Sequence, residues 1–269
     1  MTMLEQYATR YENVRCERAD GVLEVTLHTD GGALAFSEQV HHDLPLVFQD
    51  IANDPENKVV ILTGTGDRFC TSFDPNGFSK ILSEDPAAGR MRIRRDGVLG
   101  LKAFLDIEVP VIAAVNGPAL VHAEIPMLAD VVLASESSIF QDAMHFRIGV
   151  APGDGVHIIW THLLGANRGR YFLLTGQRIE ACDALALGLV GEVLAPETVL
   201  PRARELARQW ARLPRATLVS TRQVLTYEWK RLLNEHLHKG LTEQGLASAL
   251  GPPAKANSAK APLLEFLDR

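Results

Sequence analysis

The feature that most restricts the fold of this chain is a pair of short, uninterrupted apolar segments, Val59-Val-Ile-Leu62 and Val111-Ile-Ala-Ala-Val115. A strand with one wet face alternates apolar and polar residues, whereas these segments are apolar at every position. They are typical of parallel strands that helices cover on both faces. The segment between them, about residues 86–105, is predicted to be one of those helices. The fold class is therefore predicted to be α/β.

The elements around these strands follow the same plan. Asp20-Gly21 between two β-rich segments, residues 14–18 and 22–27, predicts a hairpin. Ser37 is positioned to cap a helix whose apolar residues recur at helical spacing, although Pro45 lies within it. A further strand is expected at residues 130–133. From Asp154 onward the pattern is mostly helical, which indicates one α/β core followed by a helical region.

Composition excludes several classes of partner and cofactor. The formal net charge of -6 lacks the basic excess expected of a nucleic-acid-binding domain. No apolar segment approaches the roughly 20 residues of a membrane span, and the charged N-terminal segment does not resemble a signal peptide. Three widely spaced cysteines favour neither disulfides nor a zinc ribbon. We expect a cytoplasmic protein without membrane contact.

The common catalytic motifs are also missing. The chain has no G-x-S-x-G nucleophile motif, and Gly64-Thr-Gly66 lacks the third glycine of a dinucleotide-binding loop. No two histidines have the spacing of a zinc-binding helix. We therefore expect neither a metal nor a cofactor.

A cluster of polar residues within long apolar segments is the candidate site. It comprises His122, Glu124, Gln141, Asp142, His145 and Asp154, with a tight turn at residues 152–155. A single buried histidine is usually a satisfied core residue. Two histidines and several acids on loops next to strand ends also fit catalysis, because a rigid sheet holds such loops in place. The pattern alone leaves both interpretations open.

Four segments in this order resemble the crotonase (enoyl-CoA hydratase/isomerase) superfamily. They are Ile61-Leu-Thr-Gly-Thr-Gly-Asp-Arg-Phe-Cys70, Pro110-Val-Ile-Ala-Ala-Val-Asn-Gly-Pro118, Ala129-Asp-Val-Val-Leu-Ala134 and Gly149-Val-Ala-Pro-Gly-Asp-Gly155. The resemblance implies a crotonase-like ββα spiral core over residues 12–195 and a C-terminal helical trimerisation region over 196–250. It also implies a homotrimer or a dimer of trimers. Residues 251–269 are predicted to be a flexible tail.

The chain departs from the crotonase pattern where that family binds and hydrates acyl-CoA. Ser72 replaces the glycine of a segment whose backbone helps to hold the thioester oxygen. Residues 119–122, Ala-Leu-Val-His, replace a second, glycine-rich segment. Glu124 matches one hydratase carboxylate, but His145 stands where the second is expected, four residues before Gly149. The departures argue against the usual thioester site, since glycine permits the backbone approach it needs.

Four further segments are His122-Ala-Glu-Ile-Pro126, Phe140-Gln-Asp142, Pro152-Gly-Asp-Gly155 and Asn167-Arg-Gly-Arg-Tyr-Phe-Leu-Leu-Thr-Gly176. Together with His145, they resemble the 6-oxocamphor hydrolase branch of β-diketone hydrolases. The resemblance implies retro-Claisen cleavage of a C–C bond in a cyclic or bicyclic 1,3-diketone, a small-molecule substrate, to a keto acid. In that reaction His145 acts as the base that activates water, Asp154 orients it, and His122 holds the oxyanion.

The same resemblance places Phe36 and His41 in the substrate pocket, together with either Glu243 or Gln244. These last two residues point about 100° apart on a helix, and the sequence does not decide which of them faces the pocket. Two alternatives remain. One is a CoA-dependent hydratase, isomerase or thioesterase that uses Glu124, with residual CoA binding. The other is a non-enzymatic binding protein on the same fold.

Overall fold

The computed structural model describes residues 2–251, so the predicted tail lies outside the described residues except for Gly251. The helices are Met3–Tyr7 (α1), Glu38–Asn53 (α2), Asn76–Glu84 (α3), Pro86–Asp106 (α4), Glu124–Met127 (α5), Val156–Leu164 (α6), Ala166–Thr175 (α7), Ala181–Ala186 (α8), Val199–Trp210 (α9) and Arg215–Leu250 (α10). The strands are Val14–Ala19 (β1), Val22–Leu27 (β2), Leu34–Phe36 (β3), Val59–Gly64 (β4), Cys70–Phe73 (β5), Val111–Val115 (β6), Val131–Ser135 (β7), Ile139–Phe140 (β8), Ile179–Glu180 (β9) and Glu192–Leu194 (β10).

A six-stranded sheet in the order β1-β2-β4-β6-β7-β10 forms the centre of the fold. Only the β1–β2 pair is antiparallel, and it is joined by the predicted hairpin at Asp20-Gly21. Both turn residues have positive φ, which a tight hairpin requires. The α/β prediction is therefore confirmed.

The two apolar segments occupy the middle of this sheet, as expected. Successive side chains of β4 point to opposite faces. Val59 and Ile61 pack into a small core with α9, while Val60 and Leu62 belong to the main core on the other face. Burial of both faces explains why every residue of β4 is apolar up to Thr63.

Helix α2 begins after Ser37, whose hydroxyl accepts the N–H of Val40, and it continues through Pro45. The predicted helix is therefore confirmed as one unbroken element that contains Pro45. The short strands β3 and β5, which pair in parallel beside the main sheet, were not predicted. They are too short to show a periodic pattern.

A buried ion pair fixes the predicted C-terminal helical region to the core. The Arg222 guanidinium of α10 donates to Asp130 at 2.7 Å and also binds carbonyls at the end of α4, including that of Leu105. Helix α10 packs against both α4 and α6. Within residues 2–251, no helix is both long and apolar enough to cross a membrane.

Candidate active site

Four of the seven predicted site residues line one cavity. It lies between α2, α4 and the segment around α5. The predicted residues in its wall are Phe36, His41, His122 and Asp154. Most of the other lining residues are apolar or glycine: Leu44, Pro45, Phe48, Gly97, Gly100, Leu101, Phe104 and Ile125. Glu124 and Asp96 complete the wall.

The turn at residues 152–155 positions Asp154 in this wall, and its two glycines are both required. A side chain at Gly153 would collide with the Gly240 carbonyl of α10, only 2.1 Å from the added carbon. Gly155 has φ 117°, outside the region that side chains tolerate. The Asp154 carboxylate is therefore held by the backbone at the start of α6.

Asp142, His145 and Asp154 form a hydrogen-bonded line. The His145 ring binds Asp142 Oδ1 through Nδ1 at 2.6 Å and Asp154 Oδ2 through Nε2 at 3.0 Å. Burial opposes a charge on His145, but the two carboxylates outweigh it and raise the pKa of His145 well above 6.5. Burial would also raise the pKa of Asp154, yet the charge of His145 holds that pKa below its usual range.

The order of this line differs from the predicted one. Asp154 is among the residues lining the cavity, whereas His145 is behind it and is only 4% exposed. Both ring nitrogens of His145 are occupied by carboxylates, so the imidazole has no free nitrogen for a water molecule. Asp154 Oδ1, in contrast, has no hydrogen-bond partner among the described residues. Of the pair formed by His145 and Asp154, Asp154 is therefore the residue that lines the cavity and keeps a buried oxygen unpaired within residues 2–251.

His122 forms a second histidine–carboxylate pair, with Nδ1 2.7 Å from Oε1 of Glu124. Burial alone would lower the pKa of His122, but the Glu124 carboxylate reverses this and raises it above 6.5. Its backbone has φ 50°, in the left-handed region where a residue other than glycine or asparagine is strained. The fold therefore holds this imidazole against Glu124 at the expense of a strained backbone conformation at His122.

Phe36 and His41 surround the His122 side chain. The Phe36 ring lies on His122 with centroids 4.0 Å apart, and it meets His41 edge-on at 6.1 Å. Burial, assisted by the nearby charge of His122, lowers the pKa of His41 to about 4. At neutral pH the cavity therefore contains one neutral imidazole.

Two N–H groups of residues 119–122, the segment that replaces the glycine-rich loop, are occupied within the protein. Leu120 and Val121 both donate to the carbonyl of Cys70, at 2.8 and 3.2 Å. This segment therefore offers His122 as a side chain at the cavity, while these two backbone donors are bound within the protein.

The two C-terminal candidates lie apart from this cavity. Glu243 is exposed and lines a separate cleft with His157, His236 and Lys239. Gln244 packs against Gly153, and its buried Oε1 has no hydrogen-bond partner in the described part of the chain. The 100° separation on α10 thus directs the two side chains to different surroundings, and neither of them lines the cavity.

Two acids acquire importance that the sequence did not reveal. Asp142 was noted only as part of the polar cluster, although its three-residue spacing from His145 permits contact across one turn. Asp96 lines the cavity and binds His42 Nδ1 at 2.9 Å and Arg95 at 3.1 Å. Among residues 2–251, no group of three or more histidine, cysteine or acidic side chains is arranged to hold a metal ion.

Comparison with known proteins shows which family and which relatives this sequence is similar to. Residues 17–247 match the family model described as enoyl-CoA hydratase/isomerase. A short-chain-enoyl-CoA hydratase from Clostridium acetobutylicum is 33% identical over 73% of this chain and 74% of its own length. A carnitinyl-CoA dehydratase from Citrobacter koseri is 30% identical over 74% of each chain.

A solved structure gives a stronger similarity. A β-diketone hydrolase from the cyanobacterium Anabaena sp. PCC 7120, bound to (S)-3-oxocyclohexyl acetic acid, is 43% identical to this chain. The match covers 91% of this chain and 98% of that one, with a TM-score of 0.88. An enoyl-CoA hydratase/isomerase from Mycobacterium paratuberculosis is 25% identical over 88% and 93% of the two chains, with a TM-score of 0.80.

Proposed function

The chain belongs to the enoyl-CoA hydratase/isomerase family, as its motifs predicted, and we propose that within this family it is a β-diketone hydrolase. It would cleave a C–C bond of a cyclic or bicyclic 1,3-diketone by hydrolysis. The observation that carries the proposal is the pair of histidine–carboxylate contacts at one largely apolar cavity. The similarity to the Anabaena β-diketone hydrolase supports it.

In this reaction Asp154 and His145 together activate water. Asp154 Oδ1 accepts a proton from the water molecule, whose oxygen then bonds to one carbonyl carbon of the diketone. His145 holds Asp154 through Nε2, and Asp142 fixes His145 through Nδ1. His145 is thus a positioning residue, and Asp154 is the group that touches the water.

His122 stabilises the oxyanion that this attack creates. Glu124 raises the pKa of His122 and so favours the protonated imidazole, which presents a charged donor to the cavity. A charge-assisted hydrogen bond of this kind is roughly twice as strong as a neutral one. His122 thereby takes the role that backbone N–H groups have in a thioester site.

Collapse of the tetrahedral intermediate completes the reaction. The C–C bond to the central carbon breaks, one carbonyl becomes a carboxylic acid and the other leaves as an enolate. The proton taken up by Asp154 passes to the enolate carbon, which yields a keto acid and restores the carboxylate. Water is the only co-reactant, and the protons balance without a cofactor.

The wall of the cavity suits a neutral, compact substrate. Phe36 and the apolar side chains of α2 and α4 provide surface for a hydrocarbon ring. His41 is neutral at neutral pH, so it can donate to or accept from a ketone oxygen without adding charge. A substrate whose central carbon cannot lose a proton reacts best, since enolisation would remove the electrophilic carbonyl.

The alternative is a CoA-dependent reaction that uses Glu124. It is favoured by the similarity to the Clostridium hydratase and by retention of the glutamate itself. Glu124 is only 2% exposed and binds His122, and the N–H groups of Leu120 and Val121 are occupied. These contacts count against the alternative.

Turnover assays separate the two functions. We expect cleavage of bicyclic 1,3-diketones, followed by loss of ultraviolet absorbance and by isolation of the keto acid. We expect neither hydration of crotonyl-CoA nor calorimetrically detectable binding of a CoA thioester. Turnover of the thioester with no cleavage of any diketone would refute the proposal.

A further inference from the structure

Helix α4 contains three glycines, Gly89, Gly97 and Gly100, in a stretch where alanine would form a better helix. Gly89 has a structural reason, because an added side-chain carbon would lie 2.7 Å from the Ile81 carbonyl of α3. The other two glycines have no such reason. None of the three has a positive φ.

Space for a side chain exists at both of the remaining positions. A carbon added at Gly97 would lie 3.5 Å from a methyl group of Leu241 and 3.6 Å from His41 Nε2. One added at Gly100 would lie 3.7 Å from the ring of Pro45. These are ordinary van der Waals distances, so the fold itself would accept alanine at either position.

Both glycines line the cavity that contains His122 and Asp154. The empty space next to them is therefore part of the volume open to a substrate. An alanine methyl group would project into that volume from the face of α4 that is turned toward His41 and Pro45 of α2.

Helices α2 and α4, which form these walls, are held together by side-chain contacts on both sides of the glycines. Toward their N-terminal ends, Glu38 binds Arg92 at 2.5 Å and His42 binds Asp96 at 2.9 Å. Toward their C-terminal ends, the rings of Phe48 and Phe104 pack edge to face with centroids 5.1 Å apart. The walls are therefore poorly able to separate when a larger ligand enters.

We propose that Gly97 and Gly100 determine the largest ring system that this cavity accepts, because neither glycine places a side chain in the space between α2 and α4. The proposal rests on the proposed function and assigns its substrate class. The absent side chains make room for the second ring or the ring methyl groups of a bicyclic diketone.

The variants Gly97→Ala and Gly100→Ala test this assignment against a series of bicyclic 1,3-diketones that differ by one methylene or methyl group. One such group in an apolar pocket changes specificity by roughly 10- to 200-fold. We expect the ratio of kcat/KM for the largest member to kcat/KM for the smallest to fall by that factor. Gly245→Ala is the matched control, since Gly245 lies within α10 with open space around it.

Stability measurements show whether such losses come from the cavity. Each of the three alanine variants should melt at or above the wild-type temperature, by up to roughly 4 °C, because alanine favours a helix. A variant that melts earlier and loses activity on all diketones equally would overturn the proposal, as would an unchanged preference.

Binding of the corresponding monoketones separates this proposal from the proposed function, because monoketones cannot undergo the cleavage. In a thermal-shift titration, the largest bicyclic monoketone should stabilise the wild type and Gly245→Ala but not Gly97→Ala or Gly100→Ala. If the wild type cleaves no diketone but this pattern appears, the proposed function fails while the size limit stands. Equal stabilisation of all four proteins overturns the size limit.

Discussion

Replacing Asp154 with asparagine removes the base of the proposed reaction while keeping the shape of the side chain. We expect kcat to fall by about 10²–10⁴, the contribution of a general base. The asparagine still offers an oxygen to Nε2–H of His145, and Asp142 still binds the other ring nitrogen. The loss would therefore come from proton transfer and not from a displaced imidazole.

The pH dependence of the wild-type enzyme separates Asp154 from His145 as the base. The pKa of Asp154 lies below its usual range and that of His145 well above 6.5. If Asp154 accepts the proton, both groups keep their charges from about pH 5 to pH 7, so kcat/KM stays constant. If neutral His145 accepts it, its active fraction rises tenfold for each pH unit, about 100-fold over this range.

A bicyclic diketone with a bridgehead between its carbonyls suits this assay, because it does not ionise at that carbon. Asp183→Asn, which changes an exposed carboxylate on α8, is the control and should turn over at the wild-type rate. A 100-fold rise in kcat/KM between about pH 5 and pH 7 would refute Asp154 as the base, and so would wild-type turnover by a folded Asp154→Asn variant.

His122→Ala should lower kcat by about 10²–10³, the cost of one oxyanion donor, whereas His122→Asn keeps an N–H, tolerates the left-handed backbone and should recover part of the rate. Equal kcat values for the two variants would exclude a donor role. Glu124→Gln removes the carboxylate that raises the pKa of His122, so its kcat should fall relative to the wild type above about pH 6.5 and recover towards lower pH; a loss independent of pH would contradict this. The raised pKa values of His122 and His145 stabilise the fold fully below about pH 6.5, and this stabilisation is lost as the pH rises through the folded-state values. Urea titrations should therefore show the free energy of unfolding falling above about pH 6.5, by at most about 1.4 kcal/mol per pH unit for each histidine, and a flat profile would count against both charges. Sedimentation equilibrium should detect three or six copies, since Val224, Leu225 and Tyr227 of α10 are more than 60% exposed, and a monomer would contradict the predicted assembly.

The long elements of this fold could be predicted because the spacing of their apolar residues shows which of their faces are buried. Strand β4 is apolar along both faces, and helix α4 extends from Pro86 to Asp106 where residues 86–105 were expected. The short strands β3, β8 and β9 have two or three residues each, too few for any period. Their pairing depends on segments distant in the sequence, which a local pattern does not contain.

The members of the site could be predicted better than their order. His122 and Asp154 line the cavity, but the sequence could not show that Asp154 stands between His145 and the cavity. That order depends on where Gly153 packs against α10, more than 80 residues further along the chain. The same packing takes Glu243 to a separate cleft, because α10 presents another face there.

The two histidine–carboxylate pairs have the same composition and opposite orientations, which divides the chemistry between them. The Asp154 side chain is 13% exposed and the His145 side chain 5%, so the first pair presents its carboxylate to the cavity. His122 is 17% exposed and Glu124 3%, so the second pair presents its imidazole. In each pair the buried partner stabilises the charge of the member at the cavity. In the proposed reaction, one cavity thus presents a carboxylate that accepts the proton of water and an imidazole that receives the oxyanion. Glu124, which matches one carboxylate of the hydratase pattern, is in this structure the hydrogen-bond partner of His122.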